Sequence, residues 1–215
     1  MFERVFEESG LPKTIRNENG APSATPAIRH DGVSFDRIIR MRRGRDRDRA
    51  TLNDDFRAGT PAKAPLDGSY AGVLIALDIA PGLTSIFRYV AERWMPWQGK
   101  TFDSRRASGD NVFTRDSLGL AHIFWPLYRG YRDDGPQNYR AFEFRTRVAP
   151  GLFDPDRQVL QIEYDLPSNP SSTIRRVLDE LVQVAAGEFL GKAHFQWWWG
   201  RWQTVAFFAL SEGGN

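Results

Sequence analysis

His30, His122 and His194 are the only histidines in this 215-residue chain, and cysteine is absent. The missing thiol excludes thiolate zinc, iron–sulfur clusters, cysteine nucleophiles and disulfides. None of the three imidazoles stands in the i, i+4 spacing that puts two ligands on one helix face, so neither a metal nor a cofactor is expected. No Gly-x-Ser-x-Gly elbow occurs, and the glycine-bearing "SLGLAHIF" lacks the spacing of a phosphate-cradling loop. What remains for acid–base chemistry is His194, a candidate base beside Glu163 for a hydrolase or isomerase, since imidazole changes charge near neutral pH. The competing reading is a surface histidine, because a lone imidazole brings no catalytic geometry. No catalytic residue is assigned.

Two further sets carry binding chemistry. Arg145 and Arg147 stand opposite Gln161 and Glu163. Inside a barrel such a guanidinium would hold a carboxylate head group; outside, the four make a solvated cross-strand charge ladder. Lys100 and Asp103 flank Phe102, forming either a cup rim or a wet strand, while Trp94 and Trp97 bracket Met95–Pro96 as core or pocket.

These residues need elements to hold them. "SYAGVLIALDI" is continuously apolar, and "YRAFEFRTRV" and "QVLQIEYDL" alternate, which predicts strands, the last two as a hairpin. Helices are predicted in "GLTSIFRYVAERW", in "SLGLAHIFWPLY" with Ser117 as N-cap and Pro126 as breaker, and in "NPSSTIRRVLDEL". In "AHFQWWWGRWQTVAFFAL" a tight turn on Trp199–Gly200 predicts a hairpin with Trp197 facing Trp202, Phe195 facing Thr204, Ala193 facing Ala206 and Gly191 facing Phe208 in the core. His194 then faces Val205 on a mixed outer surface. Trp198, Trp199 and Arg201 are left as a candidate interface.

The amino-terminal third reads differently. Residues 1–60 form an extended arm punctuated by proline and glycine, including seven arginines between Arg37 and Arg49 with interleaved acids. Residues 61–215 form the folded domain. With 41% hydrophobic and 26% charged residues the chain is globular. A net charge of +2 and a pI near 9.0 fall short of a nucleic-acid surface, so no nucleic-acid partner is expected. The start "MFERVFEESG" has no apolar leader core, and no apolar run nears the ~20 residues of a membrane span, so a cytoplasmic location is expected. Peripheral membrane contact without spanning stays compatible with this.

Taken together, "GSYAG", then "WQGKTFD", then the closing pair "DELVQVAAGEFLGKAHFQWW" and "WQTVAFFAL" resemble the lipocalin-like (calycin) barrels. The likeness is closest to uncharacterised bacterial barrels with a Gly-x-Trp-x-Gly motif followed by Trp-x-Gly-Lys-x-Phe, and it covers roughly residues 61 to 213. Gly68, Tyr70 and Gly72 occupy the first motif, with tyrosine in place of tryptophan; Trp97, Gly99, Lys100 and Phe102 match the second. The resemblance implies that Tyr70 closes one barrel end and that the interior is a cup for an apolar ligand. The expected fold is therefore α+β: a mainly antiparallel barrel of about eight strands with short helices and an amino-terminal arm.

The expected function is a non-enzymatic cup for an apolar or lipid-like small molecule, lined by Trp97, Phe102, Phe113, Phe144 and Tyr164, with Lys100, Arg145 and His194 as its polar groups. The alternative is an accessory subunit docking a protein partner through residues 1–60 and the tryptophan hairpin.

Overall fold

Apolar–polar alternation becomes strand because successive side chains of an extended backbone point to opposite faces. The computed structural model describes residues 49–62, 65–77 and 97–213, and these contain nine strands. They are β1 (Gly68–Leu77), β2 (Trp97–Asp103), β3 (Ser108–Thr114), β4 (Arg132–Asp134), β5 (Asn138–Pro150), β6 (Gln158–Glu163), β7 (Val177–Ala185), β8 (Glu188–Gln196) and β9 (Trp202–Glu212). Hydrogen bonding runs β1–β2–β3–β5–β6–β7–β8–β9 and back to β1, always antiparallel, so eight strands close a barrel. β4 is a three-residue flap on β5. Closure removes the long unpaired edges that invite aggregation. The predicted barrel and its β5–β6 hairpin are both present.

Two helices are described, α1 (Arg49–Ala58) and α2 (Leu118–Phe124). α2 is the helix predicted before Pro126, but Ser117 turns its hydroxyl to the Thr114 carbonyl at 2.8 Å and caps no helix amide. The stretch "GLTSIFRYVAERW" lies outside the described residues. The helix predicted over "NPSSTIRRVLDEL" does not form: Ile174–Arg176 make one 3-10 turn and Val177 opens β7. Tertiary pairing overrides local propensity there, because β6 and β8 both need β7 to satisfy their backbone groups.

The barrel has two packed surfaces. Inside, Phe102, Phe144, Ile162, Leu181, Phe189 and Phe208 belong to one continuous core. Outside, α1 lays Phe56 on Val159, Val182 and Leu190, and Leu52 on Phe207. The i, i+4 spacing of Leu52 and Phe56 puts both on one helix face. Thr60 and Gln183 then exchange two backbone hydrogen bonds of 3.0 and 2.7 Å, fastening the chain to β7. Packing on the barrel thus includes the end of the segment read as an arm; two apolar residues among charges carry too little hydropathy to announce it. Residues 1–48 lie outside the described residues.

The tryptophan hairpin keeps its predicted register only in its far half, where Gly191, Lys192 and Ala193 pair with Phe208, Phe207 and Ala206. Nearer the tip His194 pairs with Thr204, Phe195 with Gln203 and Gln196 with Trp202, leaving Val205 as a bulge. The cause is the turn. Trp197 N–H donates to the Arg201 carbonyl at 2.9 Å and Gly200 N–H to the Trp197 carbonyl at 2.8 Å, with Gly200 at φ +85°. This is a three-residue loop with a left-handed glycine, one residue longer than the tight turn predicted.

Trp197 consequently leaves the core. It is half-buried, stacked parallel on Trp199 with centroids 5.0 Å apart, and donates from Nε1 to Gln203 Oε1 at 3.0 Å. Trp198 and Trp199 are 71% and 57% exposed. Trp197→Ala should cost about 1–2 kcal/mol in urea denaturation, for a lost ring stack plus a hydrogen bond, while Trp198→Ala should stay within ~0.5 kcal/mol. Equal losses would mean that the stack does not hold the turn.

Candidate functional site

A charged cluster sits where an apolar core would be expected. β2 carries Lys100 inward, and its register partner on β3 is Asn111; Asp179 comes from β7 and Tyr164 follows β6. Lys100 Nζ donates to Asp179 Oδ2 at 2.9 Å, to Asn111 Oδ1 at 2.8 Å and to the Tyr164 hydroxyl. That hydroxyl donates onward to Asp179 Oδ2 at 3.0 Å, and Trp97 Nε1 donates to Asn111 Oδ1 at 3.2 Å. Lys100 and Asp179 are only 2% and 5% exposed. The rings of Trp97, Phe144, Tyr164 and Phe208 surround the ammonium, each with its centroid 5.2–5.5 Å from Nζ.

Burial pulls the Lys100 ammonium below its ordinary pKa, and the charge and hydrogen bond of Asp179 pull it partly back. Desolvation, then the Asp179 charge, push the Tyr164 phenol well above its ordinary value, so it stays a protonated donor. The backbone contributes as well. Phe142 is held at φ 58°, unusual for a bulky residue, where the β3–β5 register shifts. Its N–H donates to the Tyr128 hydroxyl at 2.6 Å, and its carbonyl accepts from Asn111 Nδ2 at 3.3 Å, which turns Asn111 Oδ1 toward Lys100. Strain of this kind persists only where neighbours over-determine it, here the rings of Trp125 and Tyr128.

Of the candidate pocket residues, the fold brings together Trp97, Lys100, Phe144 and Tyr164. Phe102 lies one ring away, edge-on to both Phe144 and Tyr70. Phe113 is buried further off, stacked on Tyr139. Tyr70 packs between Phe102 and Phe189 inside the barrel. The glycines around it serve close approach: a Cβ on Gly72 would fall 2.5 Å from the Trp97 indole, and one on Gly99 (φ +140°) 1.9 Å from the Tyr70 carbonyl oxygen. Gly68 adopts φ +85° at the start of β1.

Two expectations are corrected, for Arg145 and His194, and the open reading of Asp103 is decided. Arg145 does not face the interior; it is exposed, paired in register with Glu163 and Ser108, and Arg147 bonds Glu163 at 2.7 Å in an outer charge ladder. Asp103 accepts the Arg105 and Arg106 amides in a surface turn and rims no cup. His194 is neither a cup residue nor a surface one. Phe189, Gly191 and Ala193 of β8 point inward, so Leu190, Lys192 and His194 point outward, and there α1 and the 151–157 loop bury them. Its carboxylate partner is Glu180, not Glu163. Arg201 lies exposed in the tryptophan loop.

Asp179 and Asn111 were missed. Asp179 was hidden inside a predicted helix, although a lone acid between Val177 and Leu181 on one strand face is the signal that could have found it.

No protein-family model matches the chain, and no curated protein does. Among solved structures it is similar to a crystal structure of a protein from Thermomonospora curvata, with a TM-score of 0.51 and 17% identity, covering 85% of this chain and 97% of that one. No helix among the described residues is long and apolar enough to cross a membrane. At that identity the likeness concerns architecture alone.

Proposed function

We propose that this is a binding protein, lipocalin-like in plan, whose barrel takes an apolar small molecule and anchors its anionic or carbonyl head on Lys100. The observation that carries this reading is the ammonium buried with Asp179 inside a ring of aromatic side chains. A core built for stability alone does as well or better with apolar residues in place of a buried ion pair, so the pair calls for another role. A few directed polar groups in an apolar interior are how ligand sites fix orientation. A carbonyl oxygen reaching Nζ replaces Asn111 or Tyr164 as acceptor and leaves the Lys100–Asp179 pair neutral, whereas an anionic head takes the place of Asp179 as counter-charge.

The test uses anilinonaphthalene sulfonate, an aromatic anion. Saturable one-site binding is expected, weakened at least about fivefold by Trp97→Ala, equivalent to ~1 kcal/mol. Absence of saturable binding would overturn the reading. So would binding that survives Trp97→Ala but disappears in Trp198→Ala or Trp199→Ala, which would favour the second reading. In that reading the barrel is an accessory subunit, docked on a protein or resting on a membrane surface through the part of residues 1–60 that precedes α1 and through the tip; the exposed Trp198 and Trp199 beside Arg201 support it.

A further inference from the structure

A second constellation lies on the outside of the barrel, away from Lys100. The bulge at Val205 sets Thr204 opposite His194, and Thr204 Oγ1 lies 3.0 Å from His194 Nδ1. On the other side of the ring His194 Nε2 is 3.1 Å from Glu180 Oε2. Glu180 is fixed in turn by the Leu152 N–H, which donates to Oε1 at 2.5 Å. His194 and Glu180 have no solvent exposure. The approach of Nε2 to Oε2 is close but misaligned for a ring N–H bond, and neither atom has another hydrogen-bond partner. The network assigns the ring proton to Nε2 and leaves Nδ1 to accept from the threonine hydroxyl. Catalytic hydrogen bonds often align only once substrate is bound.

The hydroxyl end of this chain meets an open groove of about 380 Å³ lined by Arg49, Asn53, Phe153, Trp202, Thr204 and Phe207. Arg49 Nη2 reaches the Thr204 carbonyl oxygen at 3.4 Å, which sets a guanidinium beside the hydroxyl. Phe153 covers the imidazole edge-on, with ring centroids 5.3 Å apart. Nucleophile, base, orienting carboxylate and cation thus coincide at an open groove, and these are side-chain types that acyl transfer uses.

We propose that Thr204, His194 and Glu180 hydrolyse a small ester whose acyl half carries a carboxylate within reach of Arg49. Thr204 Oγ1 bonds to the carbonyl carbon as His194 Nδ1 takes its proton. The carbon–alkoxy bond then breaks, and the departing alcohol leaves with that proton. Water repeats the step on the acyl–threonine ester, so ester and water become acid and alcohol with no other reactant. Thr204 and His194 are the catalytic residues, and Glu180 is a positioning residue. The site is independent of the binding reading above.

The experiment takes the full chain with mono-p-nitrophenyl succinate, and separately with an alkyl fluorophosphonate followed by peptide mass spectrometry. Expected are a burst of p-nitrophenolate, an adduct on Thr204, and a loss of at least about 100-fold in Thr204→Val with Thr204→Ser still active. Glu180→Gln should lower kcat at least about tenfold with KM little changed, and Glu180→Asp should recover part of that loss, because the carboxylate holds the ring in place. The other charges around the ring are Lys192 and Asp154, paired at 2.7 Å, with Arg57 and Arg49 from α1, and they are unchanged in that variant. Undiminished hydrolysis by a folded Thr204→Val, a dead but folded Thr204→Ser, no adduct, an adduct elsewhere, or an undiminished kcat in Glu180→Gln would each overturn the proposal.

Discussion

Asp179→Ala lowers stability by about 3–5 kcal/mol in chemical denaturation, because it strands the Lys100 charge inside the barrel. The side chain is almost wholly covered, so water cannot replace the lost carboxylate. Only the Tyr164 hydroxyl, Asn111 Oδ1 and the ring faces remain to solvate the ammonium. The loss also acquires a pH signature. Without Asp179 the Lys100 pKa falls further below its unfolded value of ~10.4, so the unfolded state holds the extra proton between the two values and stability rises with pH across that window.

Removing both charges separates stability from binding. Lys100→Met with Asp179→Leu leaves no buried charge, and stability returns to or exceeds that of the unmodified chain. The same folded double variant loses the sulfonate probe. A cost below ~1 kcal/mol for Asp179→Ala would instead mean that water reaches the pair, as at a surface ion pair. Probe binding preserved in the double variant would take Lys100 out of the binding site.

Phe56→Ala costs about 3–5 kcal/mol, the range for emptying a buried aromatic site. The phenyl ring is 1% exposed, seated on Val159, Val182 and Leu190, and Lys192 Nζ lies 4.2 Å above its centroid. α1 is also pinned by Arg57, which bonds Asp154 and, at 2.8 Å, Asp156 in the loop between β5 and β6. Two truncations locate the boundary. Removing residues 1–48, where apolar content is sparse, leaves the thermal midpoint nearly unchanged. Removing residues 1–60 also takes Leu52, Phe56 and the Thr60 bridge, and lowers the midpoint by roughly the Phe56→Ala effect or more. Equal midpoints for the two truncations would mean that α1 adds nothing to the barrel.

Alternation within single segments was enough to place β5 and β6 and their hairpin, because a strand's two faces are written in neighbouring residues, while the barrel class came from the family resemblance. Trp97 and Lys100 entered through the family resemblance instead; three positions apart, they share a side only because β2 shifts register between Trp97 and Gly99. Local pattern cannot say which partner a residue meets across the chain. Lys100 and Asp179 stand 79 positions apart and meet only because β2 and β7 belong to one closed barrel. Arg145 and Arg147 stand opposite Gln161 and Glu163 as read, but the choice of inner or outer face belongs to closure. At the tryptophan turn, one residue of loop length decided between Val205 and Thr204 as the partner of His194. A one-residue slip exchanges the faces of a strand, and only the packed backbone chooses between the two registers.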